Sequence, residues 1–204
     1  IYQANDTIDT SPYKIGSRTI QDPRYHGDLS MEEVLIKSSN AGISKIALEI
    51  DPCNLYTFFN VLGFGQVTSS GFPGEASGTL DSQCSRWREG MIASLSYGYN
   101  VDVSLIQLAG AYAAIANGGI RKPVTLRKIE GRIIDGERVI SEQTSKEIMS
   151  MLEKVAIRGA PRAKINGYRI GGKTGTAQIA AANYASDKHN ALFVGLAPLT
   201  KPKI

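Results

Sequence analysis

Apolar residues recur along this 204-residue chain with two spacings, and the change from one to the other divides it. The first 29 residues are polar and turn-rich, with short β-like pieces at 13–15 and 18–20. Ser30 then offers a helix N-cap, and Glu33 three residues later completes a capping box. Ile43, Ile46, Ala47 and Ile50 stand at i, i+3, i+4, i+7, which predicts a second short helix with one apolar face. Asp51-Pro52 starts a third, with Leu55, Phe58, Phe59 and Leu62 as its buried positions and Gly63 as its stop. Residues 65–78 are rich in Gly, Ser and Pro and predict a surface loop. Leu105, Leu108, Ala109, Tyr112, Ile115 and Ala116 mark the strongest amphipathic helix, closed by Gly118-Gly119.

Beyond that helix the period shortens toward two. Residues 124–126, 132–134 and 138–140 predict extended chain, with Asp135-Gly136 as a hairpin signal. Ser141 caps a helix running through Val155, with Ile148, Met151, Leu152 and Val155 on one face. Residues 168–179 and 190–197 read as two strands joined by the polar loop 180–189. Helices first and antiparallel strands late, without βαβ alternation or internal repeat, predict an α+β fold with an antiparallel sheet flanked by helices.

Composition narrows the picture modestly. At 42% hydrophobic and 21% charged the chain has the content of one globular domain or a large part of one. Its net charge of +4, from 23 basic and 19 acidic residues, is scattered with no run of five like charges, so no nucleic-acid partner is expected. The longest uncharged stretch, 103–120, contains Ser104, Gln107, Gly110 and Asn117 and predicts a buried helix, not a membrane span. No leader or anchor is evident. A start on Ile1 without Met and an end just after the apolar run 190–197 are read as an internal excerpt of a longer protein, incomplete at both ends. Cys53 and Cys84 are too few for a disulfide scaffold and are not spaced as a metal site. Neither a metal nor a cofactor is expected, and the cysteines leave the compartment and their own pairing open.

Two short motifs carry chemistry. Ser38-Ser39-Asn40 places a hydroxyl and a carboxamide on one side of a tight turn between helical segments, although Ser and Asn at a helix junction are more often caps. Lys173-Thr174-Gly175-Thr176, after Gly171-Gly172, suits an edge strand that lets a substrate backbone approach while a cation meets its carboxylate, or else a solvated turn. Gly167, Gly172, Lys173 and Thr174 also satisfy the phosphate-loop pattern G-x-x-x-x-G-K-T. A phosphate loop needs a buried strand before it and a helix after it, and residues 158–166, with Gly159, Pro161 and four charges or amides, cannot supply that strand.

S-x-N followed well downstream by K-T-G resembles the serine penicillin-recognising superfamily. Lys37-Ser38-Ser39-Asn40-Ala41-Gly42, Gly63-Phe64-Gly65, Gly71-Phe72-Pro73-Gly74-Glu75, Ser96-Tyr97-Gly98-Tyr99, Leu105-Ile106-Gln107-Leu108-Ala109, Ala116-Asn117-Gly118-Gly119 and Gly171-Gly172-Lys173-Thr174-Gly175-Thr176-Ala177 resemble, in this order, the transpeptidase domain of class B penicillin-binding proteins, most of all the division-specific type 3. The resemblance implies a penicillin-binding transpeptidase fold, related to that of the serine β-lactamases. It implies Ser38 as a proton-relay hydroxyl, Asn40 as a hydrogen-bond donor to the substrate amide and Lys173 as an electrostatic tuner. Thr174 and Thr176 would bind the donor's terminal carboxylate, the Thr176 N–H would form half of the oxyanion hole, and Gly175 would keep the strand open. The implied activity is that of a serine D,D-transpeptidase of septal cell-wall synthesis, acylated by β-lactams. Its partners would be the D-Ala-D-Ala stem peptide, β-lactams and divisome membrane proteins. Its place would be the periplasmic face of the inner membrane, anchored by a segment outside this chain.

The family's nucleophile lies in an S-x-x-K motif upstream of S-x-N, and its last strand and helix lie beyond residue 204. This chain is expected to lack all of these and to be chemically silent alone. Ser11-Pro12-Tyr13-Lys14 has the letters, but Pro12 forces Ser11 out of the helical region, so Ser11 and Lys14 cannot share a helix's first turn. A β-lactam sensor without catalysis, or a hydrolytic relative such as a β-lactamase or carboxypeptidase, would share the same two motifs.

Overall fold

The computed structural model describes residues 2–68, 70–131, 134–178, 188–200 and 202. Near its start, β1 (Thr7–Ile8) pairs antiparallel with β4 (Leu29–Ser30), and β2 (Tyr13–Ile15) folds back on β3 (Arg18–Ile20) with Tyr13 opposite Ile20. Helix α1 (Met31–Lys37) begins on the expected capping box: Ser30 Oγ accepts from the Glu33 N–H at 3.2 Å, and Glu33 Oε2 accepts from the Ser30 N–H at 3.1 Å. Helix α2 (Asn40–Leu48) follows almost at once, and Ile8, Leu29, Val34 and Ile46 close one core between these elements.

Helix α3 (Pro52–Val61) starts where Asp51 accepts from the N–H groups of Cys53 and Asn54 at 2.9 and 3.0 Å. Leu55 and Leu62 are buried as the periodicity predicts, but Phe58 is exposed. Tyr56 takes its place inside, edge-on to Trp87 at 6.2 Å. The sequence pattern missed helix α4 (Glu89–Ser96), whose Ile92 and Leu95 join Ala47, Leu55 and Trp87 in a second core. It starts on Arg88 without a side-chain cap hydrogen bond, so the usual start signal is absent.

Helix α5 (Leu105–Ala116) is where expected, but its buried positions are Gln107, Ala111 and Ala114, and Leu105 is 79% exposed. Gln107, 2% exposed, explains the reversal. Its Nε2 donates to the carbonyls of Gly63, Gln66 and Ser77, and its Oε1 accepts from the Ser104 N–H. A polar residue that bonds backbone groups through both its amide nitrogen and its amide oxygen draws that face of the helix against the 63–78 loop.

The predicted strand at 124–126 is absent. Instead β5 (Ile120–Arg121) pairs with β6 (Glu137–Arg138), with Ile120 opposite Arg138; residues 132 and 133 of the predicted hairpin lie outside the described residues. Helix α6 (Glu142–Arg158) runs three residues past its predicted end, with Met151, Leu152 and Val155 buried. The long ladder is β7 (Gly171–Gln178) against β8 (His189–Leu196), antiparallel from Gly171 opposite Leu196 to Gln178 opposite His189. Most of the connecting loop, 179–187, lies outside the described residues. Among the described residues the strands form four two-stranded antiparallel ladders, within the expected α+β class.

Cys53 and Cys84 form a disulfide across a separation of 31 residues, tying α3 to a 3-10 turn (Cys84–Arg86) beside Trp87. Closing a loop of that length removes unfolded-state entropy equivalent to about 3 to 4 kcal/mol. The double substitution Cys53→Ser and Cys84→Ser should lower unfolding stability by about that amount. Urea unfolding of the two forms measures it, and equal midpoints would show that packing around Trp87 holds the segment without the bond.

Candidate active site

Helix α6 is the base on which the site is assembled. Leu152 packs with Leu196 and Leu199 over Tyr112 and Ile148, which seats the β7–β8 ladder on α6. Just before β7, Arg169 donates from Nε and a terminal nitrogen to both carboxylate oxygens of Glu153, at 2.6 and 2.7 Å. This two-pronged pairing fixes the approach to the strand, and the guanidinium holds the Glu153 carboxyl below its usual range. Helix α1 packs on α6 as well, with Lys154 Nζ 2.5 Å from Glu32 Oε2. Two segments distant in sequence, helix α1 and the start of β7, thereby lean on one helix.

At the end of α1, Ser38 adopts the left-handed conformation, φ 54° and ψ 47°. For a residue with a side chain this costs about 1–2 kcal/mol, so its surroundings must impose it. They do so from both sides. The Ser38 and Ser39 N–H groups donate back to the carbonyls of Leu35 and Val34 at 3.3 and 3.0 Å, closing α1. Ser39 then opens α2 as its N-cap, its Oγ accepting from the Gly42 N–H at 2.9 Å. Gly42 is required there, because a Cβ would lie 2.8 Å from Val34 Cγ2. Asp22, in the chain after β3, accepts from Ser39 Oγ at 2.5 Å and from the Ala41 N–H at 3.0 Å.

Within Ser38-Ser39-Asn40 the capping falls to the middle residue. The middle serine caps α2 and is 2% exposed, while Ser38 is exposed and faces β7. From β7, Lys173 Nζ donates to Ser38 Oγ at 2.5 Å and to the Thr174 carbonyl at 3.0 Å, across 135 residues of sequence. Burial pushes the Lys173 amine below the ordinary lysine value of 10.5. Among the described residues no carboxylate lies within ion-pair distance of it. A hydroxyl, not an opposite charge, is its partner.

The structure brings Ser38 and Lys173 together and arranges the other predicted residues around them. Asn40 is half-buried at the first position of α2, two residues from Ser38. Thr174 and Thr176 alternate with Lys173 along β7, so both present exposed side chains on the opposite face of the strand. Gly175 shares the Lys173 face, where a Cβ would lie 3.1 Å from Leu192 Cγ on β8. Among the described residues β7 pairs with β8 alone, leaving its other edge open to an extended ligand. At the far end of the strand the Gln178 N–H donates to the Tyr99 hydroxyl at 3.1 Å, and Tyr97 packs edge-on against Tyr99 at 5.9 Å.

Sequence reading missed the roles of Asp22 and Tyr99. No local signal marks Asp22, which acts on residues 17 and 19 positions away. Ser96-Tyr97-Gly98-Tyr99 was noticeable as a motif, but its contact with β7 spans 79 residues.

The decoys fail on geometry. Lys173 and Thr174 stand inside β7, which continues as strand to Gln178 where a phosphate loop would open its helix, and a 3-10 turn (Pro161–Ala163) precedes it, so no phosphate loop forms. Ser11 precedes β2 outside any helix; its Oγ donates to Asp9 Oδ2 at 2.8 Å. Lys45 Nζ reaches Ser11 Oγ at 3.2 Å but is paired with Asp9 at 2.6 Å, which leaves no free base for that serine. The larger surface hollow, lined by Ser145, Met149, Glu153, Arg169 and Leu199 among others, contains none of the predicted site residues. Among the described residues no cluster of His, Cys, Asp or Glu could hold a metal ion.

The chain is similar to known proteins in sequence and in fold. The family model for the penicillin binding protein transpeptidase domain matches residues 1–204. The chain is 36% identical over 203 residues to the probable peptidoglycan D,D-transpeptidase PenA of Neisseria meningitidis serogroup A, covering 98% of this chain and 35% of that protein. It is 36% identical over 206 residues to the peptidoglycan D,D-transpeptidase FtsI of Escherichia coli K12, covering 100% and 35%. The apo transpeptidase-domain structure of Burkholderia pseudomallei penicillin-binding protein 3 superposes with a TM-score of 0.92 at 38% identity, covering 98% of this chain and 62% of that one. The chain spans about 35% of the length of these curated relatives. The chain therefore belongs to the penicillin-binding protein transpeptidase domain family.

Proposed function

We propose that this chain is part of a serine D,D-transpeptidase that cross-links peptidoglycan stem peptides during septal wall synthesis and is acylated by β-lactams. The observation that carries the reading is the 2.5 Å contact of Lys173 Nζ with Ser38 Oγ beside the open edge of β7. Transfer of an acyl group needs a nucleophile, a proton path to the departing amine, and a clamp that holds the scissile amide in line. A lysine amine kept short of counter-charge, hydrogen-bonded to a hydroxyl, suits the proton path: Ser38 can accept from Lys173 and donate its own proton onward. The β7 edge suits the clamp, offering backbone groups to an extended D-Ala-D-Ala terminus, with Asn40 for the substrate amide and Thr174 and Thr176 for the terminal carboxylate.

The nucleophilic serine is assigned to an S-x-x-K helix outside these residues, because the described helices contain no such motif and the chain covers 62% of the related domain structure. The chain is thus one part of a transpeptidase domain. A disulfide at Cys53–Cys84 supports a place outside the reducing cytoplasm, consistent with the periplasmic face of the inner membrane. Among the described residues no helix is long and apolar enough to cross a membrane. The reading includes a membrane anchor and contacts with divisome membrane proteins made through the full-length polypeptide.

Fluorescent penicillin applied to the full-length polypeptide carrying this domain should label it covalently, and the label should leave slowly; no label would sink the reading, and rapid release would make the protein a hydrolase. Asn40→Ala should slow labelling by about 10- to 1000-fold, the usual loss for one positioned hydrogen bond in a transition state. Ser11→Ala should leave the rate unchanged; a penicilloyl group found on Ser11 by mass spectrometry would move the nucleophile into this chain.

The buried amine has its own signature. Below its folded pKa, Lys173 is charged in both the folded and unfolded states, and the folded state bears the desolvation cost. That cost fades as pH rises through the depressed folded value toward the ordinary 10.5. Lys173→Met should therefore stabilise the protein at neutral pH while slowing acylation, and its stabilising effect should shrink as pH rises toward 10. Denaturant midpoints across pH measure this, and a gain that grows with pH would contradict the burial of a charged amine.

A further inference from the structure

We infer that the Cys53–Cys84 disulfide is a redox-sensitive positioning device for acyl transfer: it holds the start of α4, α4 holds the Tyr99 corner against the end of β7, and a dithiol reductant that opens the bond slows the reaction. This rests on the transpeptidase reading above. The bond joins Cys53, in the first turn of α3, to Cys84 in the 3-10 turn just before α4. Among the described residues the other hydrogen bonds of that turn are local. The Arg86 and Trp87 N–H groups donate to the carbonyls of Gln83 and Cys84 at 2.9 and 3.1 Å, and the Arg86 guanidinium donates to Gln83 Oε1 at 2.8 Å. None of them reaches another element. Trp87 is 7% exposed beside the bond, and its indole N–H has no hydrogen-bond partner among the described residues. Helix α4 then starts on Arg88 with no side-chain cap. An uncapped helix frays at its first turn unless something outside it supplies a restraint, and here that restraint is covalent.

The far end of α4 carries this anchoring to the site. Beyond Ser96 the chain folds back on the helix: the Tyr97 and Tyr99 N–H groups donate to the Ser94 carbonyl at 3.4 and 3.0 Å, and the Gly98 N–H donates to the Leu95 carbonyl at 3.1 Å. The Asn100 amide completes the corner by donating to Ser94 Oγ at 2.5 Å. The corner therefore moves with α4 as one piece, and its Tyr99 hydroxyl accepts from the Gln178 N–H at the last position of β7. Helix α4 also lies along α2, whose first residue is Asn40, with Ile92 and Leu95 in one core with Ala47. Thr79 and Asp102 exchange backbone hydrogen bonds at 2.8 and 3.0 Å, which ties the two ends of this excursion together. With those ends fixed and the disulfide open, the slack falls between Cys84 and Arg88, where the hydrogen bonds are only local. Both cysteines are half-buried, within reach of a dithiol from solvent. Its thiolate attacks one sulfur, the S–S bond breaks, and the other cysteine leaves as a thiolate that takes up a proton. The reductant's second thiol then displaces the mixed disulfide, so that two electrons and two protons reach the cysteines and the dithiol becomes a disulfide.

The test uses the full-length polypeptide in three states: oxidised, reduced with dithiothreitol and desalted, and reoxidised. Penicillin acylation is followed by stopped flow while mass spectrometry counts the thiols and the acylatable fraction, so that rate and amount of folded protein are read separately. Reduction should lower the acylation rate per acylatable site by about 3- to 10-fold, and reoxidation should restore it. The chain with both Cys53→Ser and Cys84→Ser should be slow in every state and no longer respond to dithiothreitol. Tyr99→Phe removes the acceptor of the Gln178 N–H and should lower the rate of the oxidised protein; reduction should then lower it little further, because two changes on one path do not add. If the double-serine chain does not fold, Cys53→Val with Cys84→Ala, which keeps an apolar group at both positions, carries the test. Equal rates per site in the oxidised and reduced protein, whatever the melting temperatures, would overturn the inference. So would a full response to reduction in Tyr99→Phe or in the chain without the two cysteines. Absence of acylation in the oxidised protein would instead overturn the transpeptidase reading.

Discussion

Burying an amine without a counter-charge is the constraint around which the rest of this structure is organised. Lys173 is half-buried, and its near partners are a serine hydroxyl and a backbone carbonyl. Such a group is costly to desolvate, and it stays where it is only if the elements around it are over-determined. Here they are. The strand that carries it is seated on α6 by Leu152, Leu196 and Leu199 and aligned by the Arg169–Glu153 pairing. The serine that meets it ends a helix leaning on the same α6, tied there by Lys154 and Glu32. The stability of two packed helices is directed to one unfavourable contact, the usual relation between a rigid scaffold and a reactive site.

How much of this was legible in the sequence depended on range. Ser30 with Glu33, Asp51 with Pro52 and the Leu152 stripe of α6 are local signals, and each produced the element it predicted. Helix α4 was missed because Arg88 gives it no side-chain cap, and the strand expected at 124–126 does not form. The ladder of β5 with β6 joins residues on either side of the segment that local turn chemistry had marked as a hairpin. On α5 the apolar stripe pointed to the wrong face, because a single Gln107 that bonds backbone groups through both ends of its amide outweighs the preference of Leu105 for burial. Of the site, the spacing of Ser38, Asn40 and Lys173 was visible, but what joins them was not. Asp22 and Tyr99 act through contacts 17 to 79 residues long that leave no periodic trace.

The alternation of β7 refines what the motif can do. Four consecutive residues carry the predicted roles, yet a strand shows only every second side chain to a given face. Lys173 and Gly175 therefore belong to the Ser38 side, and the two threonines to the other. A ligand lying along the open edge of the strand would meet backbone groups first, with the threonines above it and the lysine below. Edge binding of this kind takes its affinity from main-chain hydrogen bonds and its selectivity from side chains on either face. That is consistent with a site built to accept a peptide terminus in an extended form.

The middle position of S-x-N then takes on a meaning the pattern alone withholds. Written as x, it reads as free, yet Ser39 is among the most buried polar residues of the chain and makes hydrogen bonds in two directions. A residue without a hydroxyl would leave the Asp22 oxygen and the Gly42 N–H unsatisfied in a buried turn, a larger loss than either bond contributes when made. The neighbouring Gly42 is constrained by Val34 and Ala41 by the second oxygen of Asp22. The run from Ser38 to Gly42 is thus specified almost residue by residue by packing and hydrogen bonding, before any substrate enters. The two side chains assigned to chemistry are exposed and half-buried members of a turn whose other members are committed to holding it still.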